Sequence, residues 1–210
     1  MYSKLDDLNL KTGDLLLFSE TSNISLFNLF LNMIKYGTKS EYVHIAMVIV
    51  DPTFIHPSLK GTYVWESSWE GKPDPQDGKT KLGVQITPIN EIIDAYKVNG
   101  HVFLRRVSCE KYDECFSNDN LEAIHKVVYN RPYDIVPKDW FHALTGKDPN
   151  PQKTDRFWCS ALIGYIYTKC GILNEDTDWS IMRPSDFAID GEHLDLNPGN
   201  SLSDSETRIY

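Results

Sequence analysis

Three side chains spread along this chain could together carry acyl chemistry: Cys159, His44 and Glu66. Cys159 lies in Phe157-Trp158-Cys159-Ser160-Ala161-Leu162-Ile163, where a helical pattern begins. A helix N-terminus offers unpaired N–H groups and a partial positive charge, and both favour a thiolate over a thiol. The same N–H groups can hold the oxyanion of a tetrahedral intermediate. The competing reading is a buried, inert cysteine, since free cysteines are among the most buried residue types. Cys170, at the far end of the same pattern, fits that second reading, because the helix dipole there disfavours a thiolate. Cys109 and Cys115 lie in a polar stretch without metal-site spacing.

A thiol nucleophile needs a base that takes its proton and later protonates the leaving group. His44 opens the apolar run Ile45-Ala46-Met47-Val48-Ile49-Val50, where packed neighbours would hold the ring still. Alternatively it is a strand-end histidine facing solvent. Glu66, inside Tyr63-Val64-Trp65-Glu66-Ser67-Ser68, could fix the imidazole tautomer if its strand neighbours that of His44. Alternatively it points outward on an alternating strand. Glu70, at the edge of a loop, is the other acid in reach. His56, His101, His125, His142 and His193 form no i, i+4 pair, so no zinc and no cofactor are expected.

The elements that must position these groups are legible as patterns. Gly13-Asp14 precedes a buried strand, Leu15-Leu16-Leu17-Phe18. Asn23 caps an expected helix to about Tyr36, with Ile24, Phe27, Phe30, Leu31 and Ile34 at helical spacing and Gly37 ending it. Strands follow from Val43 to Val50, Thr62 to Glu66, Gly83 to Thr87 and His101 to Val107. Gly71 to Lys81 has the composition of an exposed loop. A short helix starts after Pro88, suited to the first helical position. A further helix runs from Asn118, with Leu121, Ile124, Val127 and Val128 on one face, and ends near Arg131-Pro132. The longest spans about Phe157 to Cys170, with Thr154 and Asp155 as candidate caps and Gly171 closing it. The tail after Asp190 is polar and expected to be loosely held. Strands in the first half, with helices flanking and following, give an α+β fold.

Composition narrows the function. The 210 residues suit one domain, read as 1–190 with a polar tail at 191–210; 41% are hydrophobic and 24% charged. A net charge of −9 argues against general nucleic-acid binding, which needs clustered Lys and Arg. No apolar run approaches the roughly 20 residues that cross a bilayer, and the N-terminal Met1-Tyr2-Ser3-Lys4-Leu5-Asp6-Asp7 does not read as a secretory signal. Four cysteines in such a length do not read as a disulfide framework. A cytoplasmic or virion-associated protein is the expectation.

In order along the chain, several segments resemble the permuted NlpC-type branch of the papain-like fold, the YaeF/YiiX-like group related to lecithin:retinol acyltransferase. They are Gly13-Asp14-Leu15-Leu16-Leu17-Phe18, Tyr42-Val43-His44-Ile45-Ala46-Met47-Val48, Val64-Trp65-Glu66, Gly83-Val84-Gln85-Ile86-Thr87-Pro88-Ile89 and Val102-Phe103-Leu104-Arg105-Arg106. Arg131-Pro132-Tyr133-Asp134 is similar to the family's turn before the catalytic helix, and Arg183-Pro184-Ser185-Asp186-Phe187 to its closing segment. The resemblance implies a circularly permuted papain-like fold, an antiparallel sheet or partial barrel packed on helices. It assigns Cys159 as nucleophile, His44 as base and Glu66 as its orienting partner. Two positions depart from the pattern: Val43 stands where the family often has Ser, and Ala161 where it often has Glu.

The expected activity is a cysteine hydrolase acting on an amide, peptide, ester or thioester through a thioester acyl-enzyme. A lipid-directed acyltransferase or esterase is the second expectation, with the helix from Ile24 to Ile34 touching acyl chains or a membrane surface. The same spacing is also that of a core-packing helix. A non-catalytic binding protein on the same fold is the third.

Overall fold

The computed structural model describes residues 5–20, 41–98, 100–134, 153–191 and 194–209. The expected helix over residues 23–36, with its possible acyl-chain contact, lies outside the described residues, as do His142 and His193.

One antiparallel sheet organises the molecule. Its strands are β1 (Leu15–Glu20), β2 (Tyr42–Val50), β3 (Thr62–Ser68), β4 (Gly83–Pro88), β5 (Gly100–Arg105) and, near the C-terminus, β8 (Thr207–Arg208). Their order is β4-β3-β2-β1-β5-β8. A separate two-stranded ribbon joins β6 (Val107–Cys109) to β7 (Asn200–Leu202). The helices are α1 (Ile89–Tyr96), α2 (Tyr112–Cys115), α3 (Asn118–Val128) and α4 (Cys159–Lys169). The α+β class expected from the pattern is what the chain adopts.

The central strands are apolar without alternation because both faces of the sheet are covered. Leu15, Leu17, Ile45, Met47, Trp65 and Ile86 face a core shared with Leu121 and Ile124 of α3 and Leu162, Ile163 and Ile166 of α4. Their sequence neighbours Leu16, Phe18, Ala46, Val48 and Val64 face a second core with Ile89, Ile92 and Ile93 of α1. Each such buried aliphatic side chain stabilises the fold by roughly 1.5–3 kcal/mol. Helix α4 is buried from Cys159 through Thr168, on every side, so no amphipathic stripe marks it. It ends as expected: Gly171 takes φ 71°, a left-handed conformation that a side chain would resist, and its N–H reaches Thr168 O.

Four expectations need correction. The run over residues 101–107 is two strands, because Arg106 leaves the sheet: its guanidinium bridges Asp14 (2.9 Å) and its N–H bonds Ser203 Oγ. Pro88 stands at the N-cap of α1, one position earlier than expected. The loop over residues 71–81 is not wholly exposed; Asp74 and Lys81 are buried as an ion pair of 2.7 Å, with Asp77 at 3.0 Å from the same ammonium. The tail is not loosely held over residues 194–209. Leu202 and Ile209 are buried, β7 and β8 extend the two sheets, and Ile209 N–H bonds Val102 O at 2.9 Å. Two short strands with buried apolar residues were hidden among Ser, Asp and Asn. Among the described residues no helix is long and apolar enough to cross a membrane.

Candidate active site

His44 sits near the start of β2, paired across the ladder with Phe18 of β1. The register slips by one residue just beyond it, where Ser19 meets Tyr42, so the strand bends as it leaves the site. The ring packs against Phe18 at 5.2 Å between centroids. It is buried, not the solvent-facing ring of the alternative reading. Strand β3 runs antiparallel to β2, so the start of one lies beside the end of the other. This brings Glu66, 22 residues away in sequence, to His44: Oε2 is 2.7 Å from Nε2, and Glu66 is fully buried. Its second oxygen accepts from the Thr87 hydroxyl of β4. The carboxylate is therefore fixed at both oxygens, by two different strands. Next to it Gln85 Nε2 donates to Ser68 Oγ at 2.8 Å, and Ser68 donates to Glu70 at 3.0 Å.

Glu70 is thus held by Ser68, and the ring is held by Glu66. Burial, and then the charge of Glu66, push the Glu70 carboxyl up to about 7, with His44 acting the other way. Two acids side by side have separate environments: Glu66 carries the hydrogen bond to the imidazole, and Glu70 resists ionisation next to it.

Cys159 reaches the same place from the opposite end of the chain. It is the first residue of α4, with Trp158 at the N-cap in an extended conformation and no side chain capping the helix. Thr154 and Asp155 do not cap it, because α4 begins at Cys159 and not at Phe157. Phe157 N–H bonds Pro132 O (3.1 Å), Asp134 N–H bonds Phe157 O (3.2 Å), and the buried Ser67 hydroxyl of β3 donates to Phe157 O (2.6 Å). Ser160 Oγ and Trp158 Nε1 both donate to Met182 O, at 2.6 and 3.2 Å. The helix start is thereby pinned between the sheet end and the segment leading to residues 183–187. In that segment Arg183 and Asp186 pair with each other (2.7 Å) around a short 3-10 turn, a structural role.

Sulfur and imidazole meet. The Cys159 side chain lies beside the buried His44 ring, close enough for its charge and hydrogen-bonding capacity to act on the ring. With Nε2 committed to Glu66, Nδ1 is the ring atom left for sulfur. Burial disfavours the charged ring, but the bonds and charges of Cys159 and Glu66 outweigh it and raise the His44 pKa to about 10. The imidazolium is the stable form at neutral pH, facing a sulfur on one side and a carboxylate on the other.

A fourth residue joins them, one that in the sequence is only part of a turn. Tyr133 is buried against Cys159, close enough for each to act on the other's charge. Burial, and then the charges of Cys159 and Asp134, hold its phenol protonated well above the usual range. Its position follows from backbone contacts: Tyr133 N–H bonds Leu82 O (3.1 Å), and Val84 N–H bonds Arg131 O (2.9 Å). Gly83, at φ 146°, makes that approach possible, since a Cβ there would stand 2.2 Å from Arg131 O. Spacing offers no sign of this residue; a tyrosine between Pro132 and Asp134 looks like any turn aromatic.

Val43 and Ala161 are buried apolar positions. The remaining described histidines lie elsewhere: His56 bonds Ser58, His101 Arg208 and His125 Gln76. Among the described residues no three His, Cys, Asp or Glu side chains gather as a metal site would. Compared with protein-family models and with curated proteins, the chain matches none.

Proposed function

We propose that this protein is a cysteine hydrolase of permuted papain-like architecture, cleaving an amide, peptide, ester or thioester bond with Cys159 as nucleophile. The observation that carries the reading is the convergence of Cys159 and Glu66 on one buried histidine, His44, which Glu66 holds at 2.7 Å, the three coming from a helix start and two strands. A buried cysteine packed for bulk alone has no need of a histidine clamped by a carboxylate.

In the proposed reaction the Cys159 thiolate attacks the carbonyl carbon, and the oxygen becomes negative. N–H groups at the start of α4 stabilise that oxyanion, aided by the partial positive charge of the helix end. The Tyr133 hydroxyl beside Cys159 steadies the backbone from which the sulfur projects. The His44 imidazolium then gives its proton to the leaving amine or alcohol as the tetrahedral intermediate collapses to a thioester. The neutral ring next takes a proton from water, which attacks the thioester and frees the acid. Glu66 keeps the ring in the orientation that presents Nδ1 to sulfur and stabilises its charged form.

In ordinary papain-like enzymes the cysteine comes first in the chain and here it comes last, a circular permutation that does not alter this chemistry, because roles follow geometry and not sequence position. Screening the protein and its Cys159→Ala variant against peptide, acyl-lipid and thioester libraries tests the reading. Turnover that vanishes in the variant is expected, and the substrate class separates hydrolysis of peptides from action on lipids. Full activity in a folded Cys159→Ala protein overturns it.

A further inference from the structure

The other cysteines also form a site, at the opposite end of α4. Cys109 ends β6 and Cys115 ends α2, with only residues 110–114 between them, and their sulfurs stand 3.0 Å apart. A covalent S–S bond is about 2.05 Å, so roughly one ångström separates this thiol pair from a disulfide. Both residues are half-buried and reachable from solvent, unlike the buried Cys159 and Cys170. Their surroundings are held from several directions. Strand β6 is laddered to β7, Cys115 O accepts from Asn120 Nδ2 (2.7 Å), and Tyr112 donates its hydroxyl to Thr12 O (2.7 Å). Cys170, at the C-cap of α4, lies close enough for its titration to be affected by both. Along a helix rising about 1.5 Å per residue, that end is roughly 16 Å from Cys159.

We infer that Cys109 and Cys115 form a reversible dithiol–disulfide site, oxidised by small-molecule disulfides of the glutathione class and separate from the Cys159 centre. Burial and the adjacent Cys109 sulfur push the Cys115 thiol up to about 12. Either sulfur can donate to the other, and with the Cys115 proton held more firmly by burial, Cys109 is assigned as the attacking sulfur and Cys115 as the resolving one. The Cys109 thiolate attacks one sulfur of glutathione disulfide, forming a mixed disulfide and releasing one glutathione thiolate. Cys115 then loses its proton, attacks the Cys109 sulfur and releases the second. Two protein thiols are oxidised to one disulfide while one glutathione disulfide is reduced to two glutathione thiols, which take up the two protons. The closed bond would tie α2 to β6 beneath the C-terminal end of the nucleophile helix.

The test uses the full chain, folded, in buffers spanning reduced to oxidised glutathione, quenched with an alkylating agent and read by intact mass and peptide mapping. The expected result is loss of alkylation at Cys109 and Cys115, a mass lower by two hydrogens in samples acid-quenched without alkylation, and a linked Cys109–Cys115 peptide that excess reduced glutathione reopens. Cys109→Ser and Cys115→Ser should each prevent that link, and Cys115→Ser should retain a glutathione adduct on Cys109. Cys170→Ser should leave the link intact. A linkage that appears only in denaturant, that involves Cys159 or Cys170 instead, or that never forms in fully oxidised glutathione overturns the inference.

Discussion

Replacing Glu66 by Gln removes one charge from a fully buried position and changes almost nothing in shape. The wild-type carboxylate offers one oxygen to His44 Nε2 at 2.7 Å and the other to Thr87. With its amide oxygen toward the ring, the substituted glutamine would keep the hydrogen bond and lose the charge, while the Thr87 hydroxyl rotates to accept from the amide nitrogen. A hydrogen bond to a charged group contributes about 1.5–3 kcal/mol and a neutral one about 1 kcal/mol. The difference, roughly 1–1.5 kcal/mol in favour of the imidazolium, corresponds to about one pKa unit. The His44 titration should therefore fall from about 10 by about one unit in Glu66→Gln. Glu70 should move the same way from its wild-type value of about 7, since the Glu66 charge is one cause of its elevation. Ring-carbon NMR of isotopically labelled histidine reads the first shift and a side-chain carboxyl titration the second. A ring titrating about one unit lower is still protonated at neutral pH, so steps that need the imidazolium should keep their rate there and lose it at a pH about one unit lower than in wild type, readable as the pH profile of Cys159 alkylation. Superimposable His44 titrations in wild type and variant would refute the reasoning, because the carboxylate would then contribute nothing to the charge state of the ring.

Other outcomes follow from the same geometry. The folded His44 pKa stands above that of a free ring, so its protonation stabilises the fold fully below about 6.5, and that contribution is lost as pH rises through about 10. Denaturant titrations of wild type and His44→Gln should accordingly converge as pH rises through that window. Tyr133→Phe removes the hydroxyl beside Cys159 and should lower kcat about fivefold with little change in KM, as for the loss of one ordinary hydrogen bond of about 1 kcal/mol. Ser67→Ala should cost only about 1 kcal/mol in chemical denaturation, because Phe157 O keeps the Asp134 N–H when it loses the hydroxyl. Asp74→Ala strips Lys81 of one partner and leaves two part-buried Gln76 contacts unmade, so a loss on the order of 3 kcal/mol is expected from the same measurement.

Local pattern was enough to find the first five strands of the main sheet and the helix that begins at Cys159. Runs such as residues 15–18 and 45–50 are apolar at every position because cores lie on both faces of the sheet. Pattern left Cys159, His44 and Glu66 each open between a chemical role and a packing or solvent-facing one, and only the resemblance of the segments around them singled them out together. It failed where partners are remote. Nothing near Leu202 or Ile209 announces a strand in a stretch of Ser and Asp, since β7 and β8 exist only through β6 and β5. Nothing near Arg106 announces that Asp14 will draw it out of the sheet.

The composition of each segment, by itself, determined the central strands, the main helices and which side chains are chemically capable. Only the tertiary structure decided which of them meet. It chose Glu66 over Glu70 as the partner of His44, brought Tyr133 to Cys159, and set Cys109 against Cys115. The reason is physical: hydrogen bonds and charge pairs act over a few ångströms, and the distances between residues 44, 66, 133 and 159 are set by sheet register and helix packing, which no single segment encodes.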